Sequence, residues 1–362
     1  MPQKFIADFF KRILALMAVI AALVILIDPF FHYHKPWFGL KAVLTDKEYQ
    51  CIGTLRNFDY DSLILGSSVA ENYNNGWFND GFGCNAIKAI RSYGATADLC
   101  YLLDAAYENR ELRYVFYSMD TSSLAAEPEP TYELTGCPMY LYNKNYFDDV
   151  QYLYNKGVLL EKIPYMAANS IIGDYDEKES YNWAQWKEFS QDMVLQQYIR
   201  TAEISPMKPE DTYSENLEAN ISLVRAQLEA HPETQFKIFF PAYSMLYWDN
   251  LYRNGDLEAY FYNMEQAVGA LIGYDNVEIY YFQNEKDIIT NLDNYMDTLH
   301  FSPGVNHYMA EQMIAGNENN RMTQSNYRQT LSDMKDFTYE IVSKLILPYE
   351  DLIKVDYPSP AS

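Results

Sequence analysis

The residues best suited to chemistry in this chain are a serine in a tight turn and an aspartate–histidine pair. The serine ends the segment Leu63–Ser68, in which a short apolar run meets a Gly-Ser-Ser turn. That pattern is typical of a buried strand whose following turn presents a hydroxyl at the carboxyl edge of a sheet. The pair lies far along the chain, in the segment Asp297–His300 (Asp-Thr-Leu-His).

Together these residue types predict nucleophilic catalysis by a serine. A serine hydroxyl becomes a strong nucleophile when an imidazole takes its proton, and the imidazole works best when a carboxylate fixes its tautomer. Asp297 and His300 are close enough for one loop to bring both into the pocket of Ser68. The remaining histidines flank the apolar N-terminus, end a predicted helix or follow the loop: His32, His34, His231 and His307. We therefore expect a serine of this turn to be the nucleophile, His300 the base and Asp297 the residue that orients it.

A mostly parallel sheet is the element that must position these residues. Apolar runs alternate with turns and amphipathic segments, which is the pattern of strand–helix–strand units. Five strands are predicted, at 63–65, 84–90, 113–120, 235–241 and 277–282. Ligand sites of such sheets gather at the carboxyl ends of the strands, where Ser68, Gly94 and Asp120 fall. The predicted fold is a three-layer α/β/α sandwich with a mostly parallel five-stranded sheet, spanning about residues 58–350.

Other segments are predicted from their composition. Residues 72–83, rich in Asn and Gly, are expected to form a loop. Residues 121–210 are rich in tyrosine and predict a helical insertion, which is either a lid over the site or a structural excursion. Residues 351–362 are expected to be a loose tail.

The N-terminus predicts a membrane anchor. Lys4, Lys11 and Arg12 precede the uncharged run Ile13–Ile27, and aromatic residues extend the predicted transmembrane span to 13–31. Basic residues on this side predict that residues 1–12 are cytoplasmic and that the rest of the chain is extracytoplasmic. A cleaved signal peptide is the alternative, although no small-residue cleavage site follows the run. Residues 32–57 then read as a membrane-proximal linker.

Composition and charge limit the partners. The chain has 362 residues and a net charge of −23, which disfavours binding to nucleic acid. Its 34 tyrosines suit a sugar-binding cleft, although ordinary packing is the favoured explanation for any single tyrosine. The sequence has no His, Cys, Asp or Glu cluster with metal-ligand spacing and no phosphate-binding loop. We therefore predict neither a metal nor a cofactor.

The order of these motifs resembles the SGNH/GDSL hydrolase superfamily over about residues 58–315. The resemblance makes Ser68 the nucleophile, with Ser67 in the position of the family's aspartate. It makes Gly94 the glycine whose N–H helps to bind the oxyanion, and it makes Asp297 and His300 the late Asp-x-x-His motif. It implies a flavodoxin-like sheet and ester chemistry without a cofactor.

The Gly-Ser-Ser turn and the N-terminal anchor are similar to an extracytoplasmic branch of that superfamily. Members of the branch transfer D-alanine to teichoic acids or acyl groups to exported polysaccharides. The resemblance implies a serine esterase or O-acyltransferase whose substrate is a cell-envelope polysaccharide or a teichoic-acid-like polymer. The predicted span makes the membrane one partner, through residues 13–31, and the resemblance adds a membrane acyl-donor protein as another.

One position departs from the family pattern. Where the family has Gly-x-Asn, this chain has Ser118-Met119-Asp120. An asparagine amide donates to an oxyanion, whereas an ionised aspartate repels it. Either Asp120 lies outside the oxyanion hole, or it is protonated, or the chemistry is altered. The alternative function is accordingly a catalytically weak glycan-binding or assembly factor on an SGNH-like fold, and a third reading treats the Gly-Ser-Ser turn as a plain strand end.

Overall fold

The structure is a computed structural model that describes residues 2–132 and 135–356. Within these residues the strands form one six-stranded sheet and one two-stranded sheet. The strands are β1 (Ser62–Gly66), β2 (Ala86–Ile90), β3 (Tyr114–Ser118), β4 (Ile199–Thr201), β5 (Gln235–Phe240), β6 (Val277–Tyr281), β7 (Arg321–Met322) and β8 (Lys354–Asp356).

The large sheet has the order β2-β1-β3-β5-β6-β7. The five predicted strands are present and parallel, so the mostly parallel α/β fold is confirmed. The predicted number of strands was wrong, because β7 adds a sixth strand antiparallel to β6. β7 is only two residues long, which is too short to give the alternating pattern by which a strand is recognised in sequence.

Fifteen α-helices occur in the described part of the chain. They are α1 (Pro2–Ile27), α2 (Lys47–Asn57), α3 (Asn75–Phe82), α4 (Thr96–Tyr107), α5 (Thr121–Ala125), α6 (Met139–Tyr142), α7 (Val150–Leu153), α8 (Ile163–Ile171), α9 (Gln191–Gln197), α10 (Ser214–Ala230), α11 (Met245–Arg253), α12 (Leu257–Leu271), α13 (Lys286–Ile289), α14 (Pro303–Ala315) and α15 (Tyr327–Glu340). Short 3₁₀ turns and π-helical turns connect several of them.

The central strands are buried on both faces. All residues of β1 are buried, and successive residues of a strand point to opposite faces of the sheet. Both faces of the sheet are therefore covered by other elements, as parallel sheets require. Continuous apolar runs are the sequence signature of such strands, which is why β1, β3 and β5 were recognisable.

Helix α3 corrects the predicted loop at 72–83. The Asn74 side chain accepts a hydrogen bond from the Gly76 N–H at 2.7 Å and so caps the first turn of the helix. Gly83 ends the helix in the left-handed conformation, with φ of 60°. The same Asn and Gly residues that indicated a loop are thus the two caps of a short helix.

The chain divides into two compact units. One consists of the residues up to Asp59 together with Tyr132–Tyr181, and the other consists of Tyr60–Thr131 together with the residues from Asn182 onwards. The segment 121–210, predicted as a single insertion, is therefore shared between the two. All eight strands belong to the second unit.

In the first unit, α1 is a continuous helix of 26 residues. It is long and apolar enough to cross a membrane, and a signal sequence would have the same properties. The predicted span reached residue 31, but the helix ends at Ile27, directly before Asp28 and Pro29. The segment 32–57, predicted as a linker, contains α2, whose Ile52 and Leu55 are buried.

The C-terminal residues contribute to the second unit. A loose tail was predicted from residue 351. The described part of it forms the end of a 3₁₀ turn and then β8, which pairs in parallel with β4. Residues 357–362 lie outside the described residues.

Candidate active site

The turn after β1 places Ser68 at the carboxyl edge of the large sheet. β1 ends at Gly66, and a 3₁₀ turn begins at Ser68 and is closed by a 3.0 Å hydrogen bond from the Ala70 N–H to the Ser67 carbonyl. A Cβ at Gly66 would lie 2.9 Å from the Cβ atoms of both Ala70 and Ser118. Only glycine therefore lets the turn pack this closely against the end of β3.

A second loop places the histidine. The Asp297 Oδ1 accepts hydrogen bonds from the backbone N–H groups of Leu299 and His300, each at 2.8 Å. The Met296 N–H donates to the His300 carbonyl at 3.0 Å, and Tyr295 and Phe301 pair across the base of the loop. The loop is thus held at its base and through its aspartate, and this fixes the direction of the imidazole.

The two loops bring the three predicted residues into one hydrogen-bonded relay. The Ser68 Oγ lies 2.8 Å from His300 Nε2, and His300 Nδ1 lies 2.7 Å from Asp297 Oδ2. Burial acts to raise the pKa of Asp297, but its hydrogen bonds and the proximity of His300 outweigh this and lower the pKa below its ordinary value. An ionised Asp297 favours the tautomer in which His300 carries its proton on Nδ1 and offers Nε2 as the acceptor for the serine proton.

The relay opens into a cavity of about 250 Å³ at the carboxyl ends of β1 and β3. The strand order reverses between these two strands, because β2 lies beyond β1 while β5 lies beyond β3. Such a reversal leaves a crevice at the carboxyl edge, which is where ligands bind in open α/β sheets. The cavity wall includes Ser68, Gly94, Asp120 and His300, which are four of the five predicted site residues. The fifth, Asp297, is hydrogen-bonded to His300.

The backbone donors in the cavity are only partly available. The Gly94 N–H donates to the Arg91 carbonyl at 3.2 Å, so the group expected to bind the oxyanion already has a partner in its own turn. A Cβ at Gly94 would lie 3.0 Å from the Arg91 Cβ and 3.2 Å from the Leu99 Cδ2, which shows how tightly this turn is packed. The Ser68 N–H, in contrast, has no hydrogen-bond acceptor among the described residues.

Asp120 lines the cavity and lies two residues beyond the end of β3 at Ser118. The Tyr243 hydroxyl donates a hydrogen bond to Asp120 Oδ1, and Ser67 also hydrogen-bonds to this carboxyl group. Burial raises the pKa of Asp120 above its ordinary value, although these hydrogen bonds and the proximity of His300 oppose the rise. Asp120 therefore lines the same cavity as Ser68, and each of the three outcomes that the sequence left open is compatible with this position.

Several residues at the site were not predicted from sequence. Tyr243 and Tyr247 line the cavity, and the Trp183 ring meets the His300 imidazole edge to face at 5.3 Å between ring centres. Tyr243 follows the carboxyl end of β5, so the rule that selected Asp120 could have found it. Trp183 belongs to the segment predicted as an insertion, and no local signal in the sequence distinguishes it from the other aromatic residues there.

Metal-ligand geometry is not found in the described part of the chain, where no group of three or more His, Cys, Asp or Glu residues could hold a metal ion. The chemistry that the arrangement can perform with its own groups is proton transfer between Ser68 and His300. A reacting carbonyl bound in the cavity would meet the Ser68 hydroxyl beside the Asp120 carboxyl group.

Comparison with known proteins gives little beyond this geometry. No family model matches the chain, and no curated protein matches it at a significant level. A solved structure from Streptococcus pneumonia, described as a candidate platelet activating factor, can be superposed with a TM-score of 0.38 at 12% identity. The superposition covers 74% of this chain and 89% of the other chain. At that TM-score the likeness supports no argument about this chain, so the functional argument rests on the site itself.

Proposed function

We propose that this chain is a membrane-anchored, extracytoplasmic serine esterase or O-acyltransferase of the SGNH type. Its substrate would be an acyl ester of a cell-envelope glycan or of a teichoic acid. The observation that carries the proposal is the Ser68–His300–Asp297 relay, with hydrogen bonds of 2.8 and 2.7 Å, at the wall of a cavity on the carboxyl edge of the sheet.

The mechanism follows from this order of groups. Ser68 Oγ attacks the ester carbonyl while its proton passes to His300 Nε2, and Asp297 stabilises the resulting imidazolium. Collapse of the tetrahedral intermediate expels the alcohol, which takes the proton from His300 and leaves an acyl-serine. An incoming hydroxyl then gives its proton to His300 and attacks the acyl-serine carbonyl. The second tetrahedral intermediate breaks its bond to Ser68 Oγ, which takes the proton back from His300, and the new acid or ester is released. Water as the acceptor makes the enzyme an esterase, and a sugar hydroxyl makes it an acyltransferase.

The oxyanion would be held by two donors. The Ser68 N–H has no acceptor among the described residues and is attached to the nucleophile itself. Asp120 is the second donor when it carries a proton, because a neutral carboxylic acid donates one hydrogen bond. A carboxylic acid kept neutral by an apolar site is a known form of oxyanion donor. The raised pKa of Asp120 supports this role. The Gly94 N–H is not assigned a role, because it donates to the Arg91 carbonyl.

Hydrolysis of a small chromogenic ester such as 4-nitrophenyl acetate tests the proposal. Ser68→Ala should abolish hydrolysis, because no other group replaces the nucleophile. Ser222→Ala is the control, since the exposed Ser222 hydroxyl donates to the Glu218 carbonyl within α10 and Ser222 does not line the cavity. Full activity in the Ser68→Ala variant would refute the proposal, and so would equal losses in the two variants.

The membrane anchor is a separate part of the proposal. Helix α1 has the length and composition of a membrane span, and basic residues precede its apolar part. A fusion of alkaline phosphatase to the C-terminus should be active in cells, since that enzyme folds only outside the cytoplasm. An inactive phosphatase fusion would place the domain in the cytoplasm and overturn this part of the proposal alone.

One observation favours a second function. With the Gly94 N–H engaged and a carboxyl group at position 120, the cavity lacks the full set of neutral donors that an efficient hydrolase uses. A catalytically weak glycan-binding or assembly factor would tolerate this. Such a factor would bind glycan equally well after Ser68→Ala and after His300→Ala, and it would form no acyl-enzyme.

A further inference from the structure

The end of α1 is fixed within the first unit by a buried carboxylate. Asp28 directly follows the last residue of α1 and is fully buried. Its carboxyl oxygens accept hydrogen bonds from the backbone N–H groups of His32, Tyr33 and His34, at 3.0, 2.7 and 3.0 Å. The Tyr152 hydroxyl donates to Asp28 Oδ1 at 2.7 Å. These residues are thus held beside the point at which α1 ends.

A first pair of exposed aromatic rings lies beside the last turn of α1. His34 Nε2 is 2.6 Å from the Ile25 carbonyl oxygen, whose helical partner would be the N–H that Pro29 lacks. The His34 imidazole stacks on the Trp37 ring with 3.6 Å between ring centres, and the Phe38 ring meets Trp37 edge to face at 6.2 Å. Trp37 is 44% exposed and Phe38 is 76% exposed. Both rings are therefore held near the helix end without being buried there.

A second exposed pair is tied to the same helix end. The buried Asp149 lies 3.1 Å from His32 Nε2 through Oδ1, and its Oδ2 accepts a hydrogen bond from the Tyr33 hydroxyl at 2.9 Å. Tyr146 and Phe147 lie shortly before Asp149 and are 78% and 92% exposed. Because the carboxylate after α1 also holds His32 and Tyr33, the second pair belongs to the same part of the first unit as the first pair.

The turn at 143–148 holds itself together with its polar side chains. The Asn143 amide donates to Asp148 Oδ2 at 2.9 Å, and the Asn145 amide donates to Asp148 Oδ1 at 2.7 Å. Asn145 Oδ1 in turn accepts a hydrogen bond from the Phe147 N–H at 3.2 Å. The polar groups thus stabilise the turn, while its two aromatic rings are exposed. Exposed apolar surface of this kind indicates an interaction site.

The four exposed rings are termed the aromatic collar: Trp37, Phe38, Tyr146 and Phe147. The uncharged run 13–27 of α1 spans about 22 Å at 1.5 Å per residue, whereas the hydrocarbon core of a bilayer is about 30 Å thick. Phe30 and Phe31, which the predicted span included, are buried in the first unit and so do not lengthen the surface that can face lipid. The collar can supply that apolar surface at the C-terminal end of the run.

The composition of the collar fits the boundary between lipid and water. Tryptophan and tyrosine concentrate at this boundary, because each ring has an apolar body and one polar group. The carboxylates that fix the collar, Asp28 and Asp149, are buried and hydrogen-bonded, so they do not present charge to lipid.

We propose that the aromatic collar lies in the lipid interface beside the end of α1 and binds the first unit to the membrane. The partner is the phospholipid bilayer, at the level of its headgroups and upper acyl chains. This inference rests on the membrane anchor of the proposed function and goes beyond it, because a helix that only tethers the chain requires no second contact with lipid. It is independent of the chemistry at Ser68.

Photocrosslinking of the full-length protein in phosphatidylcholine vesicles tests the contact. Phe147→p-benzoylphenylalanine and, separately, Phe38→p-benzoylphenylalanine report on the collar, and mass spectrometry identifies the adducts formed on irradiation. Val19→p-benzoylphenylalanine is the positive control on the exposed surface of α1. Lys178→p-benzoylphenylalanine is the matched control, because Lys178 is exposed in the acidic turn Glu177–Glu179 of the same unit. We expect lipid adducts at positions 147 and 38 with about tenfold or more the yield at position 178.

The outcomes separate this inference from the proposed function. Lipid adducts at position 19 but at neither collar position overturn the collar and leave the anchor. Adducts at both collar positions without one at position 19 contradict the anchor and leave the collar. Adducts between two copies of the chain at position 147, in place of lipid, overturn the proposal. Because the assay does not measure ester hydrolysis, failure of the enzyme at Ser68 leaves these results unchanged.

Trp37 provides a second measurement with the native side chains of the collar. Vesicles of dibrominated phosphatidylcholine quench the fluorescence of tryptophans that contact the acyl chains. Trp37→Phe should remove quenching that the parent protein shows. Trp248→Phe is the control and should leave that quenching unchanged, because Trp248 is fully buried within the protein. Equal quenching in Trp37→Phe and in the parent overturns the proposal.

Discussion

Replacing Asp120 by asparagine is the change that tests the oxyanion site most sharply. The two side chains have the same shape, but the amide donates a hydrogen bond at every pH, whereas the carboxyl group donates only while it is protonated. Burial raises the pKa of Asp120, so the wild type should hold a donor at low pH and lose it as the pH rises through that pKa. The variant should hold its donor throughout.

The size of the effect follows from the value of one donor. Loss of one oxyanion donor costs about 10²–10³ in rate, and above the pKa of Asp120 the protonated fraction falls about tenfold per pH unit. The wild-type kcat should therefore decline with a slope of −1 on the basic side until it reaches a floor. Asp120→Asn should lack this decline and exceed the wild type by about 10²-fold or more at high pH. Asp120→Ala should be slow at all pH values.

The assay is the kcat of ester hydrolysis for the three proteins, measured from the lowest pH at which they remain folded up to pH 10. Folding stability gives an independent readout. Because the pKa of Asp120 is raised in the folded state, the stability that its protonation contributes is fully present below the unfolded pKa and is lost as the pH rises through the folded pKa. Asp120→Asn should not show this loss in thermal unfolding. A wild type without the basic decline, together with a variant at least 10²-fold slower at every pH, would refute the reasoning.

The remaining predictions concern neighbours of the same site. Tyr243→Phe removes a hydrogen bond that lowers the pKa of Asp120, so the basic decline of kcat should move to higher pH, and an unmoved decline contradicts the assignment. Asp297→Asn should reduce kcat by about 10³–10⁴ with little change in KM, because His300 would lose its oriented tautomer; a loss below tenfold would count against the relay. Gly66→Ala should lower the free energy of unfolding by about 1–3 kcal/mol, measured by urea denaturation, because its Cβ would lie 2.9 Å from two other Cβ atoms; Gly273→Ala is the comparison, since its Cβ would meet only the Gln324 Nε2 at 3.6 Å, an ordinary contact.

Much of the sheet and of the relay could be predicted from the sequence because their signals are local. β1, β3, β5 and β6 are buried apolar runs that end at turns, and Asp297 and His300 are close enough to share one loop. The order of parallel strands then forces Ser68 and Asp120 to the same edge. These inferences required only the spacing of apolar residues along the chain and the rule that sites gather at the carboxyl ends of parallel strands.

The parts that could not be predicted depend on contacts between distant residues. Tyr243 bonds to Asp120 and Trp183 packs on His300 only after the chain has folded, so neither carries a local signal. The engagement of the Gly94 N–H by the Arg91 carbonyl depends on the conformation of one turn. Helix α3 was missed because its Asn and Gly caps have the same composition as a loop, and β7 because two residues show no period.

The central claim, that Ser68 is an activated nucleophile, is tested most directly by covalent labelling. The full-length protein is treated with a fluorophosphonate, digested, and mapped by mass spectrometry. The account predicts one labelled residue, Ser68, with labelling lost in Ser68→Ala, slowed at least 10²-fold in His300→Ala and unchanged in Ser222→Ala. A wild-type protein that stays unlabelled, or that is labelled at Ser68 equally fast without His300, would contradict it.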